Sequence, residues 1–195
     1  GDRVQTDGGR VNLWTGMCHS VHRGAPAATQ PLPDAGSLDY ISGANMVASR
    51  AFLERAGPLR EDYFLYYEEV DWAFRRGDLP LILAEGAVVY HHGGTTIGSG
   101  TLDRRATGFA NYFNYRNRIR FLRRFAPGRL PTAYMISLLR IAKMALIGAW
   151  READGALRGL HGLPPPRDVR ARISPNAREI AFGSVWTDRF AQPNR

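Results

Sequence analysis

The chain has 195 residues and a hydrophobic fraction of 44%, enough to bury a core, which excludes a low-complexity disordered chain. One cysteine, Cys18, excludes an internal disulfide and fits a cytoplasmic setting. The net charge of +8 is unevenly placed: residues 1–103 carry 8 basic and 13 acidic side chains (net −5), and residues 104–195 carry 18 and 5 (net +13). An acidic first part suits a cation site, and a basic second part suits a polyanion, either nucleic acid or an anionic membrane leaflet.

Residues 1–37 are turn-rich, with Asp7-Gly8-Gly9, Arg23-Gly24, Pro26, Pro31, Pro33 and Gly36, and a short β segment is expected at Arg10–Trp14. The opening Gly1-Asp2-Arg3 has no basic and apolar leader pattern and is expected to be a fragment edge or a processed end. Asp39–Ala48 reads as a buried strand, with Gly43 permitting close backbone approach. Ser49 caps a helix over Arg50–Ala56, which Gly57-Pro58 ends. A loop over Arg60–Phe64 leads to a helix from about Tyr66 to Arg76. Two β segments, Leu79–Ala84 and Ala87–His92, precede a glycine loop at Gly93–Gly100. Helical patterning runs from Gly108 through Arg124 and again from Pro131 to about Leu160. The tail, Leu163–Arg195, has weak periodicity and is expected to be partly disordered. The expected organisation is residues 1–103, a basic helical extension over 104–162, and a tail over 163–195.

The segment from Asp62 to Arg76 holds most of the chemistry. Glu68, Glu69 and Asp71 place three carboxylates in four positions, with Glu68 and Asp71 sharing a helix face and Glu69 projecting about 100° away. Adjacent carboxylates raise each other's pKa unless a cation compensates, and Arg75 is the local partner of Asp71. A solvated acidic helix start is the plainer explanation, but Tyr63, Phe64, Tyr66, Tyr67 and Trp72 argue for burial. His91 and His92 end a strand before the glycine loop, where one of them can reach a metal. Cys18, His19 and His22 lack a fourth ligand at useful spacing and read as loop residues.

Five stretches in register resemble the inverting family 2 glycosyltransferases, particularly the rhamnosyltransferase-like and galactofuranosyltransferase-like members. They are Tyr40–Ala44, Phe52–Gly57, Glu61–Trp72, Ala87–His91 and Tyr112–Arg118, spread over roughly residues 37–125. The resemblance implies an α/β fold: a partial, Rossmann-like GT-A domain, with its donor half upstream and a helical, membrane-proximal extension after it. It implies that Glu69 is the general base, at a position where the family more often has Asp, with Glu68 and Asp71 beside it. It implies that His91 completes a Mg²⁺ or Mn²⁺ site with an upstream Asp-x-Asp, and that Gly43 and Ala44 approach the sugar pocket. Tyr67 and Trp72 are further candidates for substrate contact. The partners implied are a nucleotide-sugar donor and a glycan or lipid-linked acceptor.

In the basic half, Arg116, Arg118, Arg120, Arg123 and Arg124 interleave with Ile119, Phe121, Leu122 and Phe125. Pro131–Trp150 is apolar but is interrupted by Arg140 and Lys143 at a depth costly for a spanning helix. An interfacial helix is therefore expected, placing the protein peripherally at the inner face of the plasma membrane. Packing on the domain ranks second and nucleic acid third. The competing functions are a catalytically inactive membrane-peripheral module and a metal-dependent hydrolase.

Overall fold

The computed structural model describes residues 2–91, 97–100 and 104–183. Among them the regular sheet is one antiparallel hairpin, β1 (Gly9–Asn12) with β2 (Met17–Ser20), in the register Gly9 opposite Ser20 and Asn12 opposite Met17. Asn12 makes the turn, its Oδ1 accepting from the amides of Trp14 (2.9 Å) and Thr15 (3.2 Å). The strand expected near Arg10–Trp14 is this β1. The Rossmann-like sheet expected from the resemblance is not among the described residues.

Three expected strands differ from the structure. Beyond one bridge between Gly9 and Tyr40, residues 41–48 form turn and loop, and Leu79–Ala84 and residues 87–91 form no ladder. His92 lies outside the described residues. A strand satisfies its backbone only through a neighbour, and the described residues supply none for these segments. Ile82, Val88, Val89 and Tyr90 are accordingly exposed.

Helices account for most of the rest. Ser49 caps α1 (Arg50–Ala56) by accepting from the Phe52 amide at 3.1 Å, and Gly57, at φ 67°, ends it as expected. The acidic helix α2 (Glu68–Phe74) begins two residues later than expected because Tyr66 and Tyr67 have φ values of 67° and 73°. Thr107 caps α3 (Gly108–Phe125), as the sequence pattern predicts to within a residue. The single helix expected from Pro131 to about Leu160 is two, α4 (Leu130–Leu146) and α5 (Trp150–His161), separated at Gly148, where φ is 77°. In the described part of the tail, α6 (Arg167–Ala171) and α7 (Arg178–Phe182) bury Val169 and Ala181 completely.

α3 is the axis of the molecule, and its side chains enter all three apolar clusters. Phe121 and Leu122 pack with Tyr40, Tyr63, Tyr67, Val70 and Ala133. Tyr115 and Ile119 pack with Ile141 of α4 and Ala153, Ala156 and Leu160 of α5. Phe109, Tyr112 and Phe113 pack with Val169, Ile173 and Ala181. Close approach of α5 to α3 depends on glycine: a Cβ at Gly155 would lie 2.2 Å from the Gly108 carbonyl oxygen, and one at Gly159 would lie 2.1 Å from that of Tyr112. No helix among the described residues is long and apolar enough to cross a membrane.

Candidate active site: the carboxylate pair at the start of α2

The approach to α2 is a tight run of backbone. Phe64, Tyr66 and Tyr67 all have positive φ (60°, 67° and 73°), a conformation that costs aromatic residues energy and persists only where the surroundings impose it. α3 imposes it. The Asn117 side-chain amide donates to the carbonyls of Tyr63 (2.8 Å), Leu65 (2.7 Å) and Tyr66 (2.9 Å). Its two hydrogens are shared among three acceptors. The fully buried Arg116 donates to the carbonyls of Tyr63 (2.8 Å) and Ala181, and Arg120 donates to those of Asp62 and Gly183.

These contacts correct the expectation that Arg116, Arg118 and Arg120 face a membrane or an acceptor. All three are buried, at 0%, 8% and 7% exposure, because a cationic side chain on a helix enclosed on all sides must turn to internal acceptors. Arg118 lies over the Tyr115 ring, 4.5 Å from its centroid, and its Nη1 meets the Ser137 hydroxyl at 3.4 Å. Arg123 is half-buried, and Arg124 lies 3.4 Å from Asp71.

The three carboxylates separate into two kinds. Asp71 is fully buried and saturated: Tyr63 donates to Oδ2 at 3.0 Å, Arg75 donates to Oδ1 at 2.7 Å, and Arg124 closes the third side. Arg75 also reaches the Ala56 and Pro58 carbonyls, which ties α2 to the end of α1. The expected catalytic role of Asp71 is thereby corrected to a structural one, since a fully buried carboxylate paired to two arginines is closed off from any substrate hydroxyl. Glu68 and Glu69 differ: Oε2 of each is buried without a hydrogen-bond partner among the described residues. Burial raises the pKa of Glu68. Burial, then the charge of Glu68, pushes Glu69 up to about 7 against the opposing pull of the Glu69, Val70 and Gly43 amides.

Gly43 lies against Glu69, and a Cβ built on it would be 3.9 Å from the Glu69 Cβ. That much of the expected backbone approach is present, while Ala44 is exposed on the same loop, its amide 3.3 Å from Ser42 Oγ. Tyr67 is buried, donating to the Gly16 carbonyl at 2.6 Å, and the Trp72 indole donates to the Gly57 carbonyl at 2.7 Å while its ring meets Phe52 edge-on. Both side chains are committed to packing, which corrects their expected substrate contact. A cavity of about 340 Å³ opens beside Glu68, lined by Leu59, Arg60, Glu61, Phe64 and Ile180.

Sequence reasoning missed Asn117 and Arg116 as positioning residues. Cys18, which the sequence suggests is a loop residue, lies in β2, where burial pushes its thiol up to about 12 beside Tyr67, Glu69 and Arg118. The signal for Asn117 was a polar residue in the middle of an otherwise buried helix. His91 is exposed and pairs with Gln5, whose Nε2 donates to its carbonyl at 2.7 Å. Among the described residues no three His, Cys, Asp or Glu side chains converge as a metal site.

Comparison with protein families, with curated proteins and with solved structures finds no match for this chain.

Proposed function

We propose that this chain carries the acceptor side of an inverting sugar-transfer site, with Glu69 as the base that takes the proton from an acceptor hydroxyl. The observation that supports the reading is the half-buried Glu68–Glu69 pair, each with a buried Oε2 that has no hydrogen-bond partner among the described residues, and with Glu69 pushed up to about 7. An alcohol is a weak acid and a weak nucleophile, and a base whose pKa lies near the working pH assists its attack most effectively. The acceptor oxygen bonds to the anomeric carbon as the bond to the departing diphosphate breaks, the hydroxyl proton passes to Glu69, and the anomeric centre inverts. Glu68 keeps the affinity of Glu69 for that proton high. The resemblance around Tyr40–Ala44 and Glu61–Trp72 supports a nucleotide-sugar as donor and a glycan or lipid-linked hydroxyl as acceptor.

Initial rates of the full-length gene product with a panel of nucleotide-sugars test this reading. Glu69→Gln keeps the shape of the side chain, removes the proton acceptor and lowers turnover on the order of 10²–10⁴. Wild-type kcat/KM falls as the pH drops below about 7, because Glu69 becomes protonated there. Turnover near wild type in Glu69→Gln moves the role to Glu68. Product that forms only with water as acceptor replaces transfer by hydrolysis.

A further inference from the structure

α4 packs on the molecule through one side only. Ala133, Ser137 and Ile141, spaced four apart, are its buried residues. The opposite stripe, spaced by three and four, consists of Met135, Leu138, Leu139, Ala142 and Leu146, all of them exposed. Leu139 is 65% exposed and Leu146 is 87% exposed, and past the helix end the stripe continues into Ile147 and into Trp150 at 68%. A run of apolar side chains this long on an otherwise charged surface marks a contact site.

The charges around it identify the partner. Arg140 and Lys143 flank the stripe on α4, both exposed, and Arg151 follows Trp150, also exposed. From Arg104 through Arg151 the sequence contains no Asp or Glu. A protein surface that received this face would need its own acids, and a second copy of the chain meeting it through the same face would bring cations against cations. A sheet of anionic headgroups above hydrocarbon satisfies both features at once: apolar side chains enter the acyl boundary while the arginine and lysine stems bend up to the phosphates. We propose that the exposed stripe of α4, from Met135 to Trp150, docks in plane on an anionic phospholipid surface. This face is built from residues other than the carboxylate pair, so its failure leaves the reading of Glu69 intact.

The test is flotation of the full chain with vesicles of phosphatidylcholine alone or mixed with phosphatidylglycerol, at low and high salt. The chain floats with the mixed vesicles at low salt, and high salt releases it. The pair Leu139→Glu and Leu146→Glu lowers binding at least about tenfold, and so does the pair Arg140→Glu and Lys143→Glu. These positions are exposed, and unchanged circular dichroism verifies that the variants fold. The pair Val88→Ser and Tyr90→Ser, on the other exposed apolar segment, leaves binding unchanged. Tryptophan emission shifts to the blue on binding, and Trp150→Phe removes that shift. Equal binding to neutral and anionic vesicles, unmoved by salt, overturns the proposal in favour of insertion. No binding overturns it, as does binding indifferent to the α4 substitutions. Self-association that the same α4 variants abolish, without vesicle binding, assigns the stripe to a second copy and overturns it as well.

Discussion

One helix within residues 104–183 and one extended segment within residues 2–91 place their apolar side chains in opposite ways. In the first region α3 is enclosed along nearly its whole length, and even Arg116 and Asn117 are fully buried. In the second, Ile82, Val88, Val89 and Tyr90 lie open to solvent in an extended segment that forms no ladder with any described residue. A helix closes its hydrogen bonds within itself, so a helical pattern can find its structure inside one segment. A strand borrows half its hydrogen bonds from a neighbour, and a strand pattern without one remains a pattern only. The site lies where the two regions meet: its carboxylates belong to the first 91 residues, and the groups that shape their approach belong to α3.

If that division holds, the largest stability loss should come from the α3 side of the contact. Asn117→Ala takes the side-chain donor from the Leu65 and Tyr66 carbonyls and leaves that of Tyr63 to Arg116, at a cost of about 4 kcal/mol by urea denaturation. A loss below about 1 kcal/mol would mean that the Phe64–Tyr67 backbone holds its own shape. Asp71→Asn comes next. It leaves Arg75 and Arg124 facing a neutral amide, and the expected cost is about 3 kcal/mol, with the α1–α2 contact loosened.

Glu69→Gln should have the opposite sign. A carboxylate whose pKa is raised from 4.5 to about 7 binds more protons folded than unfolded between those two values, so it lowers stability progressively as pH rises through that window. Removing it should stabilise the protein by on the order of 2 kcal/mol at pH 8 and by almost nothing at pH 4. Unfolding curves of the variant and wild type at the two pH values check this, and equal differences at both would remove the case for a perturbed Glu69. The smallest effect belongs to the open segment: Val88→Ser should shift stability by less than about 0.5 kcal/mol. A larger loss would show that the segment is packed in solution and would break the comparison.

Legibility in the sequence followed the same physical divide. The cap Ser49, the stop at Gly57 and the extent of α3 depend on neighbours three or four residues away, and they were readable. The β1–β2 hairpin was half readable, through the turn residues that surround it. Three strands were expected wrongly because alternation reports which side chains suit a sheet and says nothing about whether a partner is present. At the site, the sequence singled out Glu68, Glu69 and Gly43. It could not separate Asp71 from them, because the saturation of Asp71 comes from Tyr63 and Arg124, 8 residues before it and 53 after it. For the same reason the arginines of α3 looked like a surface. Their periodicity fits an exposed basic face, and only the carbonyls of Asp62, Tyr63 and Ala181 show where they point.

The run of left-handed residues before α2 has a consequence for how this motif can be studied and reused. Local backbone bonds at Phe64, Leu65 and Tyr67 are only part of what holds Phe64, Tyr66 and Tyr67 at positive φ: the side-chain donors to the Tyr63, Leu65 and Tyr66 carbonyls are more than 50 residues away in the chain. A peptide copied from residues 60–76 would keep every acidic and aromatic side chain and relax to ordinary backbone, spreading the two glutamates into solvent and returning them to ordinary acidity. The motif is not a portable cassette. Grafting it onto another scaffold would require carrying the α3 amide and guanidinium groups with it, as one unit.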